Sequence, residues 1–310
     1  MMGEQQQQRT SGGGDSALVR LRLCWIFAAL WLPVFLWSTV QAGFGGAAFG
    51  LQVLCTLLFV VTHASLSNGW RGGGLFFVFA VSVAFVLEAS SIATGFPFGF
   101  YVHNVAGFKL LGVPPLVAFI YAIFGWLAWN LARLIVRQHP CDAGGVNRFT
   151  TPLVASFILA AQDLPFDPIG STVLGIWTFR SPSGYFGVPL TNFLGWMFTG
   201  WVFFQLFALV ESRFPPHRAA VTRASYWLLP CFIWAMNAVQ YPIKFASASA
   251  GSVTVAGRTF VTADVYESSV VVALLTMMFT AVTAAFRVGA IVHGPLNPNP
   301  SRFPPQTTLW

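Results

Sequence analysis

The sequence predicts an all-α, polytopic integral membrane protein with about eight transmembrane helices. Three observations predict it. Only 8% of the 310 residues are charged while 56% are hydrophobic, and a soluble domain needs about 25% charge to cover its surface. The mean hydropathy is +0.69. Eight apolar stretches are each long enough, at about 20 residues, to cross roughly 30 Å of hydrocarbon.

Taken in order, residues 1–16 (MMGEQQQQRTSGGGDS) are polar and rich in Gly and Gln, the composition of a disordered tail. The apolar run behind them is too long for a signal peptide and lacks a small-residue cleavage site. The spans are expected at 20–40, 47–66, 74–94, 113–135, 150–166, 190–211, 224–245 and 268–290, within a single helical domain over 17–292. Pro165 and Pro168 interrupt the fifth, because proline lacks a donor and clashes with the preceding turn. Residues 293–310 read as a C-terminal tail.

Sixteen Lys and Arg residues test this alternation. With the N-terminus cytoplasmic, twelve fall inside: Arg9, Arg20, Arg22, Arg71, Arg133, Arg137, Arg148, Arg213, Arg218, Arg223, Arg287 and Arg302. Four fall outside: Lys109, Arg180, Lys244 and Arg258. The bias predicts both termini on the cytoplasmic side of a bacterial or archaeal-type cell membrane, with lipids as neighbours. The net charge of +7 then reports orientation and not nucleic-acid binding. Cys24, Cys55, Cys141 and Cys231 are scattered and read as small apolar fillers. The five histidines are dispersed and no H-x-x-H pattern exists, so no metal site is expected. Nucleotide-binding and nucleophile-elbow motifs are also missing.

The acids sort to the other side. Glu88, in VLEASS, sits about two turns from the outer end of the third span, where a carboxylate must face protein or a wet cavity. Two outer connections, GFPFGFYVHNVAGFKLLGVPP (95–115) and RSPSGYFGVPLTNFLGW (180–196), are apolar and Gly/Pro-rich where a plain loop would be polar. Such backbone is tolerated at membrane depth only when protein buries it or it lines a cavity. They read as two re-entrant lids over an outer-leaflet pocket. Candidate binding residues are Tyr101, His103 and Asn104 in the first, Tyr185 and Asn192 in the second, and Asn237 and Tyr241 from span seven. Each alone is as consistent with a structural hydrogen bond. A weak echo, 88 positions apart, matches Phe98-Gly99, Asn104 and Gly107 to Phe186-Gly187, Asn192 and Gly195.

The segment QDLPFDP (162–168) places two of only nine acidic residues together. Asp163 and Asp167 share a face on a helix, but Pro165 pushes Leu164 toward extended geometry, so the pair is expected where the helix breaks. Two neighbouring carboxyls beside apolar surface repel each other's charge, and one of them is expected to keep a proton. A retained proton suits acid chemistry on an unactivated substrate.

EASSIATGFPFGFY, LAAQDLPFDPIG and SGYFGVPLTNFLGW, in that order and spacing, resemble the carotenoid biosynthesis protein family over roughly residues 50 to 290. The resemblance implies an integral membrane enzyme that hydrates the terminal double bond of a linear carotenoid, using water and no cofactor. Such chemistry needs a protonated carboxyl, a placed water and an aromatic wall that tolerates a cation. Asp163 or Asp167 is the expected donor, the other and Asn192 orient water, and Glu88 is the alternative donor. A second reading comes from D-x-x-x-D, which also resembles half of the magnesium-binding signature of membrane prenyltransferases. A third is a carotenoid or lipid carrier or transporter.

Overall fold

The computed structural model describes residues 2–41, 46–138 and 147–292. The expected tail at 293–310 and Cys141 lie outside the described residues. The fold is all-α, with two small two-stranded sheets at one end. Its helices are α1 (Met2–Val40), α2 (Ala47–Thr94), α3 (Pro115–Ile135), α4 (Asn147–Asp167), α5 (Leu190–Val210), α6 (Arg218–Val221), α7 (Ala224–Ser247), α8 (Thr262–Ala273) and α9 (Phe279–Val292). A π-helical segment, Leu274–Met278, joins α8 to α9. α1 begins inside the stretch that composition reads as a tail.

Each stretch expected to span falls on helix, the last of them running from α8 through the π-helical segment into α9. α2 carries two of them, because non-helical dihedrals at Asn68 and Gly69 split it into two halves. Among the described residues, five helical stretches are long and apolar enough to cross a membrane: Asp15–Val40, α2, α3, Leu190–Arg213 and Thr262–Val292. α4 and α7 are as long but more polar. They bury Gln162, Asp163 and Asp167, and Asn237 and Tyr241, in the interior. An acid that would be costly against lipid is thus turned onto protein.

Hydrogen bonds between distant segments fix which helix ends lie together. The Arg20 guanidinium near the start of α1 donates to Ser65 O at 3.1 Å and Ser65 Oγ at 3.0 Å. The His217 amide donates to Leu66 O at 3.0 Å. At the other end Lys244 Nζ, late in α7, donates to Thr39 O at 3.4 Å. Between these ends the core is aromatic: Trp31, Trp126, Trp129, Trp227 and Trp234 are fully buried.

Glu211, beside Asn68 at the break in α2, is buried in an ion pair with Arg133. Arg133 also donates to Ser67 Oγ at 3.1 Å. A charged pair this deep needs such satisfied partners.

At the opposite end the first lid pairs with the strand that leads into the second. β1 (Tyr101–His103) pairs antiparallel with β2 (Trp177–Phe179), in register Tyr101↔Phe179, Val102↔Thr178 and His103↔Trp177, and the Arg180 amide donates to Phe100 O at 2.9 Å. A hairpin of β3 (Ser252–Val255) and β4 (Arg258–Val261) lies on the same side, and Arg258 donates to Ser183 O at 3.3 Å. The echo holds at Phe-Gly and not beyond. Gly99 and Gly187 both have φ +91, a conformation glycine adopts without penalty. Each donates its amide to the carbonyl four residues back, and each follows a Phe whose carbonyl accepts a threonine hydroxyl, from Thr191 and Thr172. Asn104, by contrast, is an exposed loop residue while Asn192 is buried on α5.

One expectation is corrected. The chain does not become extended at Leu164. α4 continues through Pro165 to Asp167, and a π-helical segment, Pro168–Val173, follows. Prolines 165 and 168 cannot donate to the carbonyls of Ala161 and Leu164. A wider turn accommodates this without ending the helix.

Candidate functional site

Because α4 stays helical, Asp163 and Asp167 share a face one turn apart. Both are buried, at 0% and 2% exposure. Asn192, in the first turn of α5, bridges them: its Nδ2 donates to Asp163 Oδ2 at 3.0 Å and also to Asp167 Oδ2, so one amide holds the two carboxyls side by side.

Glu88 is held separately. Tyr101 donates its hydroxyl to Glu88 Oε2, and Tyr121, from α3, donates to Oε1 at 2.9 Å. His103 Nε2 lies 3.7 Å from Glu88 Oε2. Burial, then the adjacent Glu88 charge, holds the Tyr101 phenol well above its ordinary pKa, so it acts there as a donor. Tyr121 in turn stacks on Trp196 of α5, with ring centroids 3.9 Å apart.

Both acid groups line one cavity of about 230 Å³. Its remaining wall is largely aromatic and aliphatic, with Phe98, Phe166, Trp177, Phe179 and Trp196 near the acids and Ile120, Ile123 and Phe124 along α3. Drug-sized ligands occupy about 300–1,000 Å³, so the space suits one end of a long apolar molecule. None of the cavity-lining residues is a lysine or arginine, although a diphosphate would need such a partner.

Of the residues expected from sequence, Glu88, Tyr101, His103, Asp163, Asp167, Asn192 and Asn237 line this cavity. Asn237 Nδ2 is engaged by Ile233 O at 2.8 Å. Tyr185 and Tyr241 do not line it, but both lie within electrostatic reach of the aspartates. Asn104 is brought to neither group. Its Nδ2 donates to Gly175 O at 2.9 Å and Thr178 Oγ1 at 2.8 Å, tying the first lid to β2. Sequence reasoning missed Tyr121 and Trp196, two aromatic residues inside apolar spans. It also missed Gln162, whose Oε1 is buried without a partner; its place beside Asp163 was the available signal.

Fold and site together define an integral membrane protein that encloses an acid-lined, largely apolar cavity walled at one end by the first lid and β2. The chain belongs to the carotenoid biosynthesis protein family, whose model matches residues 48–257. A curated bisanhydrobacterioruberin hydratase from Haloarcula japonica is 29% identical over 138 residues. That alignment covers 44% of this chain and 45% of the relative, so the chain spans about half the length of the curated protein it matches. No solved structure matches the chain. The protein is therefore a membrane protein of carotenoid biosynthesis.

Proposed function

We propose that the chain hydrates the terminal C1′=C2′ double bond of a linear carotenoid by acid catalysis. The observation that carries this reading is the buried carboxyl pair of Asp163 and Asp167, bridged by Asn192, on the wall of an aromatic cavity. An isolated alkene has no leaving group and no polarised bond, so its addition of water begins with proton transfer from a positioned acid.

The proton goes to the less substituted carbon, and the tertiary carbon becomes cationic. Aromatic faces at Phe98, Trp177 and Trp196 stabilise such a cation. The Asp163–Asp167 pair supplies the proton, and Asn192, already bonded to both carboxyls, fixes their orientation. Glu88 accepts from two phenols and offers its negative field to the cation from a separate carboxyl. Water then adds to the tertiary carbon, and its surplus proton returns to the pair. The family membership and the hydratase relative support this reaction.

The test is expression of the full chain in a host that makes a linear carotenoid, followed by mass spectrometry of the pigments. A gain in mass of one water per reacted end is expected. Unchanged pigment, with the protein in the membrane and pigment bound to it, would convert the reading to a carrier.

A further inference from the structure

We propose that Tyr185, Tyr241 and Asp163 hold an ordered water behind the acid pair, and that this site supplies the water consumed in the hydration proposed above. The inference rests on that reading for its role and on the structure for its place. Three buried polar atoms there have no hydrogen-bond partner: Tyr185 Oη, Tyr241 Oη and Asp163 Oδ1. A buried polar atom left unpaired loses its hydration without a replacement partner. A buried water typically makes about three hydrogen bonds to such groups.

The three side chains share one neighbourhood. Tyr241 lies within electrostatic reach of Asp163, Asp167 and Tyr185, and Tyr185 within reach of Asp167. The loop carrying Tyr185 is docked on the acid helix, since Thr172, in the π-helical segment after Asp167, donates its hydroxyl to Phe186 O. The Tyr185 ring also packs 5.6 Å from that of Phe193, the neighbour of Asn192. The donor count closes as well. Burial and the Asp167 charge push the Tyr185 phenol up to about 12, so it presents an O–H. A water can accept from two phenols and donate to Asp163 Oδ1, with one O–H left over.

Asp163 lines the cavity while neither tyrosine does, so this site lies behind the acid pair at the edge of the space the substrate fills. That place has a chemical use. In each turnover an O–H bond of the pair breaks as a C–H bond forms, a C–O bond forms to water, and the surplus proton returns to the carboxylate. One water is consumed and no net proton. A hydrocarbon end that plugs an apolar cavity blocks replacement water from that side. A water held on the Tyr185 side stays within reach of the pair when the substrate fills the cavity.

The direct test is a structure of the full pigment-free chain in a lipid nanodisc, at a resolution that shows waters. An ordered water within hydrogen-bond distance of the three oxygens is expected. An empty space, or lipid density there, overturns the proposal whether or not the protein hydrates anything. Given turnover, Tyr241→Phe and Tyr185→Phe should each lower kcat about ten-fold with KM unchanged. A raised KM at constant kcat would place the tyrosines on the substrate path and overturn the supply role, as would wild-type kinetics in both variants.

Discussion

At the scale of single residues, the acid pair and the buried ion pair at the opposite end make contrasting demands on substitution. Asp163→Asn or Asp167→Asn keeps the shape and removes a carboxyl that can carry a proton. General acid catalysis typically contributes about 10²–10⁴-fold, and a loss of that size is expected in each variant, read as product formed per membrane-inserted protein. A two-fold loss in both would remove the pair from the chemistry. Asn192→Ala should cost more activity than Asn104→Ala, because Asn192 holds both carboxyls while Asn104 holds only lid backbone and a threonine. Glu211→Gln leaves the Arg133 charge buried without its counterion, and breaking a buried pair costs about 3–5 kcal/mol. Thermal unfolding in detergent should show it, whereas exposed Glu267→Gln should leave both stability and activity intact. The aspartates were legible because acids are scarce in this chain and two stand four residues apart. Tyr121 and Trp196 were not, since nothing in a chain with 32 phenylalanines marks which aromatic faces a carboxyl.

At the scale of elements, apolar lids were legible from loops that should have been polar and were not. The pairing of the first lid, as β1, with β2 ahead of the second was not, because three-residue strands carry no periodicity to read. The helix through Pro165 also escaped, since local preference argues against it and tertiary packing of α4 on its neighbours decides. Glycines set the fit of the roof. A Cβ on Gly195 would lie 2.4 Å from the Phe98 ring, so α5 and the first lid meet at a contact only glycine permits. Overpacking of this kind costs about 1–3 kcal/mol. Gly195→Ala should therefore displace Phe98 from the cavity wall and lower turnover. The same substitution at Gly184, with nothing within 4 Å, should not. Gly187→Val combines a close contact at Thr172 Oγ1, 3.1 Å away, with a φ of +91. It should loosen the second lid, read as faster amide exchange over 180–189. Normal exchange and normal turnover in that variant would show that the lid does not depend on its turn.

At the scale of the whole molecule, helix-end contacts and basic-residue placement agree. Arg20, Ser65, Leu66 and His217 meet at one end, and Thr39 and Lys244 at the other. Arg71, Arg137, Arg213, Arg218 and Arg223 are exposed on connections at the first end, while both lids and the β3–β4 hairpin occupy the second. Lys/Arg-rich ends stay cytoplasmic. If each half of α2 crosses once and α8–α9 crosses as one helix, α1, α3, α4, α5 and α7 complete eight crossings, an even number that returns the chain to its starting side. Reporter fusions at residue 1 and after residue 310 should then both read cytoplasmic. A third reporter inserted at the exposed turn Ala256-Gly257, between β3 and β4, should read the opposite side. A C-terminus on the far side would mean that one of the more polar helices, α4 or α7, does not cross. Without α4 the two lids would fall on opposite faces of the membrane, against the β1–β2 pairing; without α7 the β3–β4 hairpin would leave the face of the second lid, against the Arg258–Ser183 contact. Either outcome would overturn the shared outer end along with the topology.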